Sequence, residues 1–134
     1  MRVNIIFFIS ILLCSCSVEP TPLVYGKDSC HACKMTLMDK KFGAEIVTTK
    51  GKVFKFDDVN CMISLLNTEK IDDHEIAFYL VIDFANPEKF VNAKDAQYVK
   101  SDKVRSPMAS EVAAFSKKED SAAANKEWKG ILLS

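Results

Sequence analysis

The residues best suited to chemistry lie within six positions, Cys30-His31-Ala32-Cys33-Lys34-Met35. Two thiols and a thioether in so short a stretch form a group of soft sulfur donors. Such donors favour Cu(I), zinc or iron–sulfur centres over hard cations such as magnesium or calcium. The stretch therefore predicts either a soft-metal site or thiol redox chemistry.

The spacing of Cys30 and Cys33 leaves the redox reading open. A reversible disulfide between them would make the chain a thiol–disulfide oxidoreductase. A thioredoxin-like fold places this motif between a strand and a helix, whereas here the motif precedes a predicted hairpin. The alternative of a structural zinc site needs four ligands, for which Cys61, His31 and His74 are the remaining candidates.

A third reading is a Cu(I) site of low coordination number. Cys33 and Met35 form a Cys-x-Met pair, and Met108 lies in a later loop that could fold back over them. Thioether ligands bind soft ions and disfavour harder ones. A fourth reading makes the methionines core residues and the cysteines incidental.

Several neighbouring residues have both a structural and a chemical interpretation. His31 is either an exposed spacer or an auxiliary ligand. Cys61 lies at the edge of the apolar arc of a predicted helix. Its side chain is either a half-buried packing residue, an auxiliary sulfur near the metal, or a partner of Cys30. Asp57 and Asp58 are helix-capping residues that could also orient a ligand.

The N-terminus predicts export and lipidation. Residues 1–15 combine one charge, a short apolar run and small residues, which is typical of a signal peptide rather than a membrane-spanning helix. Leu13-Cys14-Ser15-Cys16 resembles a lipobox, with Cys16 as the lipidated residue. Several acyl chains would anchor the protein stably in a membrane, with residues 16–28 as lipidated N-terminus and flexible tether.

The length and charge of the chain without residues 1–15 limit the number of domains and the kinds of partner. Removal of residues 1–15 leaves 119 residues with 17 basic and 18 acidic side chains. This length suits a single domain, residues 29–134, without obligatory disulfides. The even charge balance argues against a nucleic-acid partner.

The elements that must position the sulfurs are predicted from hydrophobic periodicity. Strands over 42–49 and 52–56 form a hairpin that turns at Lys50-Gly51. Asp57 or Asp58 begins a helix to about residue 67, and 68–75 is a loop. The apolar stripe of this helix is Val59, Met62, Ile63 and Leu66.

A similar pattern follows in the second half. The hydrophobic run 76–84 predicts a central strand, and strands over 97–100 and 111–115 flank a loop over 102–110. Ser116 and Glu119 form a capping box for a helix that runs to Trp128 and ends at Gly130, before a last short strand over 131–133. The prediction is a small α+β domain of two β-β-α-like units with antiparallel strands.

These motifs together resemble the NosL family. The resemblance rests on Cys33-Lys34-Met35 before a hairpin, on Val53-Phe54-Lys55-Phe56-Asp57-Asp58 opening a helix, and on Ser106-Pro107-Met108 before a strand and a helix. It runs from about Ser29 to Leu133.

The resemblance implies a Cu(I)-binding lipoprotein and not an enzyme. Copper would be bound at positions equivalent to Cys33, Met35 and Met108, with Cys30 at most a helper. The implied partners are a membrane transporter complex and an apo copper enzyme, nitrous oxide reductase. The implied location is a lipid-anchored protein on the cell membrane or outer membrane, facing the periplasm.

Two residues depart from the family pattern. Relatives often have glycine where this chain has Lys34, and glycine where it has Ala109. Each departure adds a Cβ where a tight backbone conformation is expected. Loop geometry, rather than ligand identity, is therefore where this chain should differ.

Overall fold

A computed structural model describes residues 17–69 and 71–133. The predicted signal peptide, residues 1–15, and Cys16 lie outside the described residues. No helix in the described part is long and apolar enough to span a bilayer. The helices and strands are β1 (Ala44–Thr48), β2 (Val53–Phe56), α1 (Val59–Glu69), β3 (Ile76–Ile82), β4 (Phe90–Asn92), β5 (Gln97–Lys100), β6 (Val112–Phe115), α2 (Lys118–Trp128) and β7 (Ile131–Leu133), with a 3₁₀ turn at Asp73–Glu75.

The strands form two antiparallel sheets, ordered β2-β1-β3-β4 and β6-β5-β7. In each sheet two consecutive strands are followed by a helix and by a strand that pairs with the first. We call β1-β2-α1-β3 the N-terminal unit and β5-β6-α2-β7 the C-terminal unit. The predicted α+β class and the two strand pairs with following helices are confirmed, and the strands predicted over 76–84 and 131–133 join these units as β3 and β7.

The core of the N-terminal unit follows the alternation of its strands. Ile46 of β1 lies opposite Phe54 of β2, and both side chains are buried. Phe56 is also fully buried, which contributes roughly 1.5–3 kcal/mol relative to an exposed side chain. Helix α1 covers this sheet with Met62 and Leu65.

The C-terminal unit has a separate core that is rich in aromatic rings. The Phe84 ring, which follows β3, lies 5.3 Å from the Trp128 ring and 5.7 Å from the Phe115 ring, between centroids. The backbone N–H of Phe84 donates to the carbonyl of Ala114 at 2.8 Å, so the two sheets are joined. Helix α2 buries only the small Ser121 and Ala124.

Three details of the sequence prediction were wrong or missing. Strand β4 was not predicted, because three residues are too few to show a period. Helix α1 continues to Glu69. The capping box does not form, because the Ser116 hydroxyl donates to Asp83 Oδ2 at 2.5 Å and the N-cap is Lys117, which makes no side-chain capping bond.

The predicted apolar stripe of α1 faces an open cavity. Val59, Met62, Ile63 and Leu66 line a cavity of about 810 Å³, opposite Tyr98 and other residues of both sheets. Cys61, Met62 and Leu65 are the buried residues of the helix. The buried face of α1 is therefore rotated from the predicted stripe towards Cys61.

The segment before the sulfur motif packs on the N-terminal unit. Thr21 donates its backbone N–H and its hydroxyl to the buried Glu45 carboxylate, at 2.8 and 3.2 Å. Lys55 Nζ donates to the carbonyl of Pro22 at 2.8 Å, and the Leu23 side chain is buried. Residues from Thr21 onward are thus attached to the domain, within the range 16–28 predicted as a tether.

Candidate metal centre

Four side chains with metal-binding atoms meet at one end of the N-terminal unit. They are Cys30, Cys33, Asp57 and Cys61, and their donor atoms all lie within 4.8 Å of one another. Cys33 is half-buried and the other three are buried. We call this group the sulfur cluster.

A tight turn fixes the first two cysteines. The Cys30 N–H donates to the carbonyl of Met35 at 2.8 Å, and the Lys34 N–H donates to the carbonyl of Cys30 at 3.0 Å. The His31 N–H donates to the carbonyl of Lys55 at 2.7 Å, which ties the turn to β2. Lys34 has a φ of 66°, the left-handed conformation that glycine adopts most easily.

The two aspartates that follow β2 have different roles. Asp57 places its carboxylate oxygens 3.5 and 3.6 Å from Cys33 Sγ, in position to accept a hydrogen bond from the thiol. Asp58 precedes α1, and its Oδ1 accepts a hydrogen bond from the Asn60 N–H at 3.1 Å. Asp58 is therefore the helix N-cap, while Asp57 belongs to the sulfur cluster.

Asp58 also holds the loop that carries Met108. Its Oδ2 accepts a hydrogen bond from the Met108 N–H at 2.9 Å. As a result Cys33, Cys61 and Met108 line one cavity of about 300 Å³, together with Ala32, Asn60 and Ser64. Ala109, after this methionine, has a φ of 52°. Lys34 and Ala109, the two positions where the family resemblance leads us to expect glycine, are thus both left-handed in this chain.

Met35 and His31 are placed apart from that cavity. The Met35 side chain is 56% exposed. The His31 ring packs edge-on against Phe54, with centroids 4.7 Å apart, and its Nε2 lies 3.7 Å from Glu69 Oε1. The structure thus brings Cys33 together with Met108, and leaves Met35 on the outer surface of the turn.

The environment of Cys33 and Cys61 raises the pKa of each thiol and so favours its protonated form. Burial, and the neighbouring Cys30 and Asp57, raise the pKa of the Cys33 thiol above its usual value. Burial, with hydrogen bonding to Asp57 and the proximity of Cys30, raises the pKa of Cys61 further. A metal ion that binds here must therefore displace thiol protons.

Two members of the cluster were underestimated from the sequence. The helical wheel puts Cys61 at the edge of the apolar arc, whereas the structure buries it beside Cys33. The sequence indicates Asp57 or Asp58 as the helix cap, and the structure gives that role to Asp58. The spacing of four residues between Asp57 and Cys61, across a helix start, is the signal that could have paired them.

The 810 Å³ cavity is larger than the one beside the cysteines, but its lining offers less chemistry. Its walls are mostly apolar, and at its edge Lys94 Nζ forms an ion pair with Asp73 Oδ1 at 3.1 Å. The smaller cavity contains three sulfur-bearing side chains. Donor chemistry rather than size therefore identifies the candidate site.

Comparison with protein families decides the relationship. The family model NosL matches residues 23–134, nearly all of the described chain. The chain belongs to the NosL family. Its fold is that of a solved structure titled "Crystal structure of the copper chaperone NosL from Shewanella denitrificans", with a TM-score of 0.72 and 23% sequence identity.

The match to this NosL structure covers 87% of the present chain and 92% of the other. No curated protein matches the sequence significantly. The predicted family and the predicted fold class are thereby both confirmed, and the sulfur cluster lies within the matched range.

Proposed function

We propose that this NosL-family protein is a membrane-anchored Cu(I) carrier that binds its cargo through Cys33, Met35 and Met108. The observation that carries the proposal is the shared cavity of Cys33 and Met108. Helix α1 and five strands, β1 to β5, lie between these residues in the chain, yet Asp57 contacts Cys33 and the adjacent Asp58 binds the N–H of Met108. A thiol and a thioether facing one cavity form a ligand set for a soft ion.

The exposure of the site fits delivery better than storage. Met35 and Met108 are both substantially exposed, at 56% and 38%. An incoming ligand from a recipient protein can therefore reach the copper before the carrier's own ligands leave. Met35 lies on the outer side of the turn and would contact the ion after a rotation of its flexible side chain.

The family and the N-terminal sequence support a location and partners for the proposed carrier. We infer lipidation at Cys16, residence on the cell membrane or outer membrane, and exposure to the periplasm. The supplier is a membrane transporter complex, and the recipient is an apo copper enzyme, nitrous oxide reductase. The copper chaperone title of the matched structure supports a recipient for copper.

The alternative of a thiol–disulfide oxidoreductase has weaker support. Redox-active cysteines usually have a lowered pKa and an accessible thiolate. Here the pKa of Cys33 is raised, and Cys30 is fully buried. The pair therefore lacks the activated nucleophile that disulfide exchange needs.

Competition with a Cu(I) chelator tests the proposal. Cys33→Ser should abolish measurable binding, and Met108→Ala should lower affinity by at least about tenfold, a loss seen even for residues that only orient a ligand. Met38→Ala is the matched control, since Met38 is a 71% exposed methionine outside the site. Equal affinities for Met38→Ala and Met108→Ala would contradict the assignment.

Copper affinity should also depend on pH. Because the raised pKa keeps Cys33 protonated at neutral pH, binding must release its proton. Affinity should therefore rise by at least about tenfold per pH unit between pH 6 and 8, and fall by the same factor on acidification. An affinity that stays constant over this range would exclude a Cys33 thiolate ligand.

A further inference from the structure

Cys61 is a buried thiol that the proposed ligand set leaves unused. Its side chain is only 5% exposed, yet it faces the same cavity as Cys33 and Met108. Its close neighbours at the cluster are the polar groups of Cys30, Cys33 and Asp57. Cys61 belongs to the same apolar core as Met62 and Leu65, the other buried residues of α1, but of these three only Cys61 lines the cavity that Cys33 and Met108 share.

We propose that Cys61 is an additional copper ligand, which gives the ion an inner position between the Cys33 and Cys61 sulfurs. This rests on the proposed function and adds to it. The outer position, with Met35 and Met108, shares Cys33 with the inner one. The carrier then has two overlapping sites for one ion.

The distances fit an ion held between the two thiolates. The sulfur atoms of Cys33 and Cys61 lie within 4.8 Å of each other. A zinc–thiolate bond is about 2.3 Å long, and an ion with bonds of this length contacts two sulfurs at any separation up to about 4.6 Å. The separation of the two sulfurs therefore allows one soft ion to bind both.

The cavity distinguishes Cys61 from Cys30. Both thiols are close to Cys33, but Cys30 is fully buried and does not belong to the residues that line the cavity. An ion that enters beside Met108 meets Cys33 and Cys61 first. Cys30 lies behind them and stays a neighbour of the site.

The backbone holds the two sulfurs at this separation without a metal. Cys61 lies in the first turn of α1, where its N–H donates to the carbonyl of Asp58 at 3.0 Å. Cys33 lies in the turn tied to β2 through His31 and Lys55. Binding therefore needs little ordering of the chain, which lowers its entropic cost.

Transfer between the two positions exchanges one ligand at a time. As the copper–sulfur bond to Met108 breaks, the bond to Cys61 forms and the Cys61 thiol proton passes to solvent. The bond to Cys33 persists, and copper remains Cu(I). Two thiolates around one Cu(I) leave a net negative charge beside the Asp57 carboxylate, which keeps the inner position from retaining the ion irreversibly.

The pH dependence of Cu(I) affinity tests the inference in the unmodified protein. Two displaced thiol protons predict that log affinity rises with a slope of about two per pH unit, and one displaced proton predicts about one. A slope of two supports the inner position. A slope of one overturns it, while the proposed function with Cys33 alone survives.

Substitutions identify which thiol releases the second proton when Cu(I) binds. Cys61→Ser and Cys61→Ala should both reduce the slope to about one and lower affinity at neutral pH by more than about 100-fold, beyond the 10–100-fold typical of residues that only orient a ligand. Cys30→Ser should retain the slope of the unmodified protein, as should Met38→Ala. A slope that falls in Cys30→Ser but not in the Cys61 variants would overturn the assignment.

The same measurements separate this inference from the proposed function. Failure of the unmodified protein to bind Cu(I) would contradict both. Loss of binding in Met108→Ala with normal binding in the Cys61 variants would contradict only the inner position. Thermal unfolding of the metal-free variants shows whether each remains folded.

Discussion

The two units of the fold share one connectivity and differ at the junction between second strand and helix. In the N-terminal unit β2 passes into α1 through Asp57 and Asp58. In the C-terminal unit β6 passes into α2 through Ser116 and Lys117. The first junction contacts the cysteines and the Met108 loop, whereas the second contacts Asp83, after β3.

The difference shows how few residues distinguish a structural junction from a candidate metal site. The Asp58 carboxylate accepts hydrogen bonds from the first turn of α1 and from the N–H of Met108, so that one side chain both caps the helix and positions the Met108 loop. Lys117 occupies the equivalent N-cap and makes no side-chain bond. The third residue of α1 is Cys61, whereas the third residue of α2 is Asp120. The framework is common to both units, and the side chains at the junction decide the chemistry.

The largest stability effect is expected at the first junction. Asp58→Ala removes the acceptor for Asn60 and Met108, so the free energy of unfolding should fall by about 2–4 kcal/mol. Copper affinity should fall as well, because the Met108 loop is released. Chemical denaturation and chelator competition measure the two effects. Asp58→Asn is the control for capping, and normal copper binding in Asp58→Ala would refute the role of this bond.

At the second junction, only stability should respond. Ser116→Ala removes a hydrogen bond to the buried Asp83, at a cost of about 1–3 kcal/mol. Burial opposes ionisation of Asp83, but bonds from Ser116 and Asn86 hold its pKa below the usual value. The stability that this carboxylate contributes is present above its unfolded pKa and is lost as pH falls through its folded pKa.

Because the folded pKa of Asp83 is less depressed without Ser116, the pH-dependent loss should be smaller in the Ser116→Ala variant and should be complete at a higher pH than in the unmodified protein. Denaturation series between pH 3 and 7 measure this shift. Copper affinity at neutral pH should stay unchanged, since Ser116 lies in the other unit. A copper defect would mean that the two junctions are coupled.

Installing a cap at the second junction should make the two units more alike. The Lys117 backbone is extended, with φ −117° and ψ 138°, as an N-cap requires. Lys117→Asn should stabilise the protein by about 0.5–1 kcal/mol, because the new side chain can accept a hydrogen bond from the first turn of α2. Thermal unfolding detects this gain, and no gain would show that the first turn is already satisfied.

The smallest effect is expected at the Met108 loop. Ala109 adopts a left-handed φ of 52°, which is strained for a residue with a Cβ. Ala109→Gly should stabilise the native state by up to about 1 kcal/mol, a gain reduced by the greater entropy of glycine in the unfolded chain. The same measurement on Ala113→Gly, in strand β6, should show destabilisation.

Periodicity predicted most of the regular structure, since the strand pairs and both helices carry clear patterns of their own. It could not predict the capping bond of Ser116, because the competing acceptor, Asp83, lies far away in the chain. It also misplaced Cys61, since a helical wheel contains no information about the turn that packs against it. Cys33 and Met108 share a cavity because the Met108 N–H donates a hydrogen bond to the Asp58 carboxylate, and no local sequence pattern encodes that bond.

The contacts of Lys55 have a consequence for the proposed attachment to a membrane. Its Nζ donates a hydrogen bond to the carbonyl of Pro22. Its own carbonyl accepts a hydrogen bond from the His31 N–H, in the turn that carries Cys30 and Cys33. With Cys16 as the anchored residue, five residues reach Thr21, and an extended chain spans at most about 18 Å at 3.6 Å per residue. Under the proposed anchoring at Cys16, the domain would stay close to the lipid headgroups in a restricted set of orientations, and a recipient of copper would have to approach the bilayer surface.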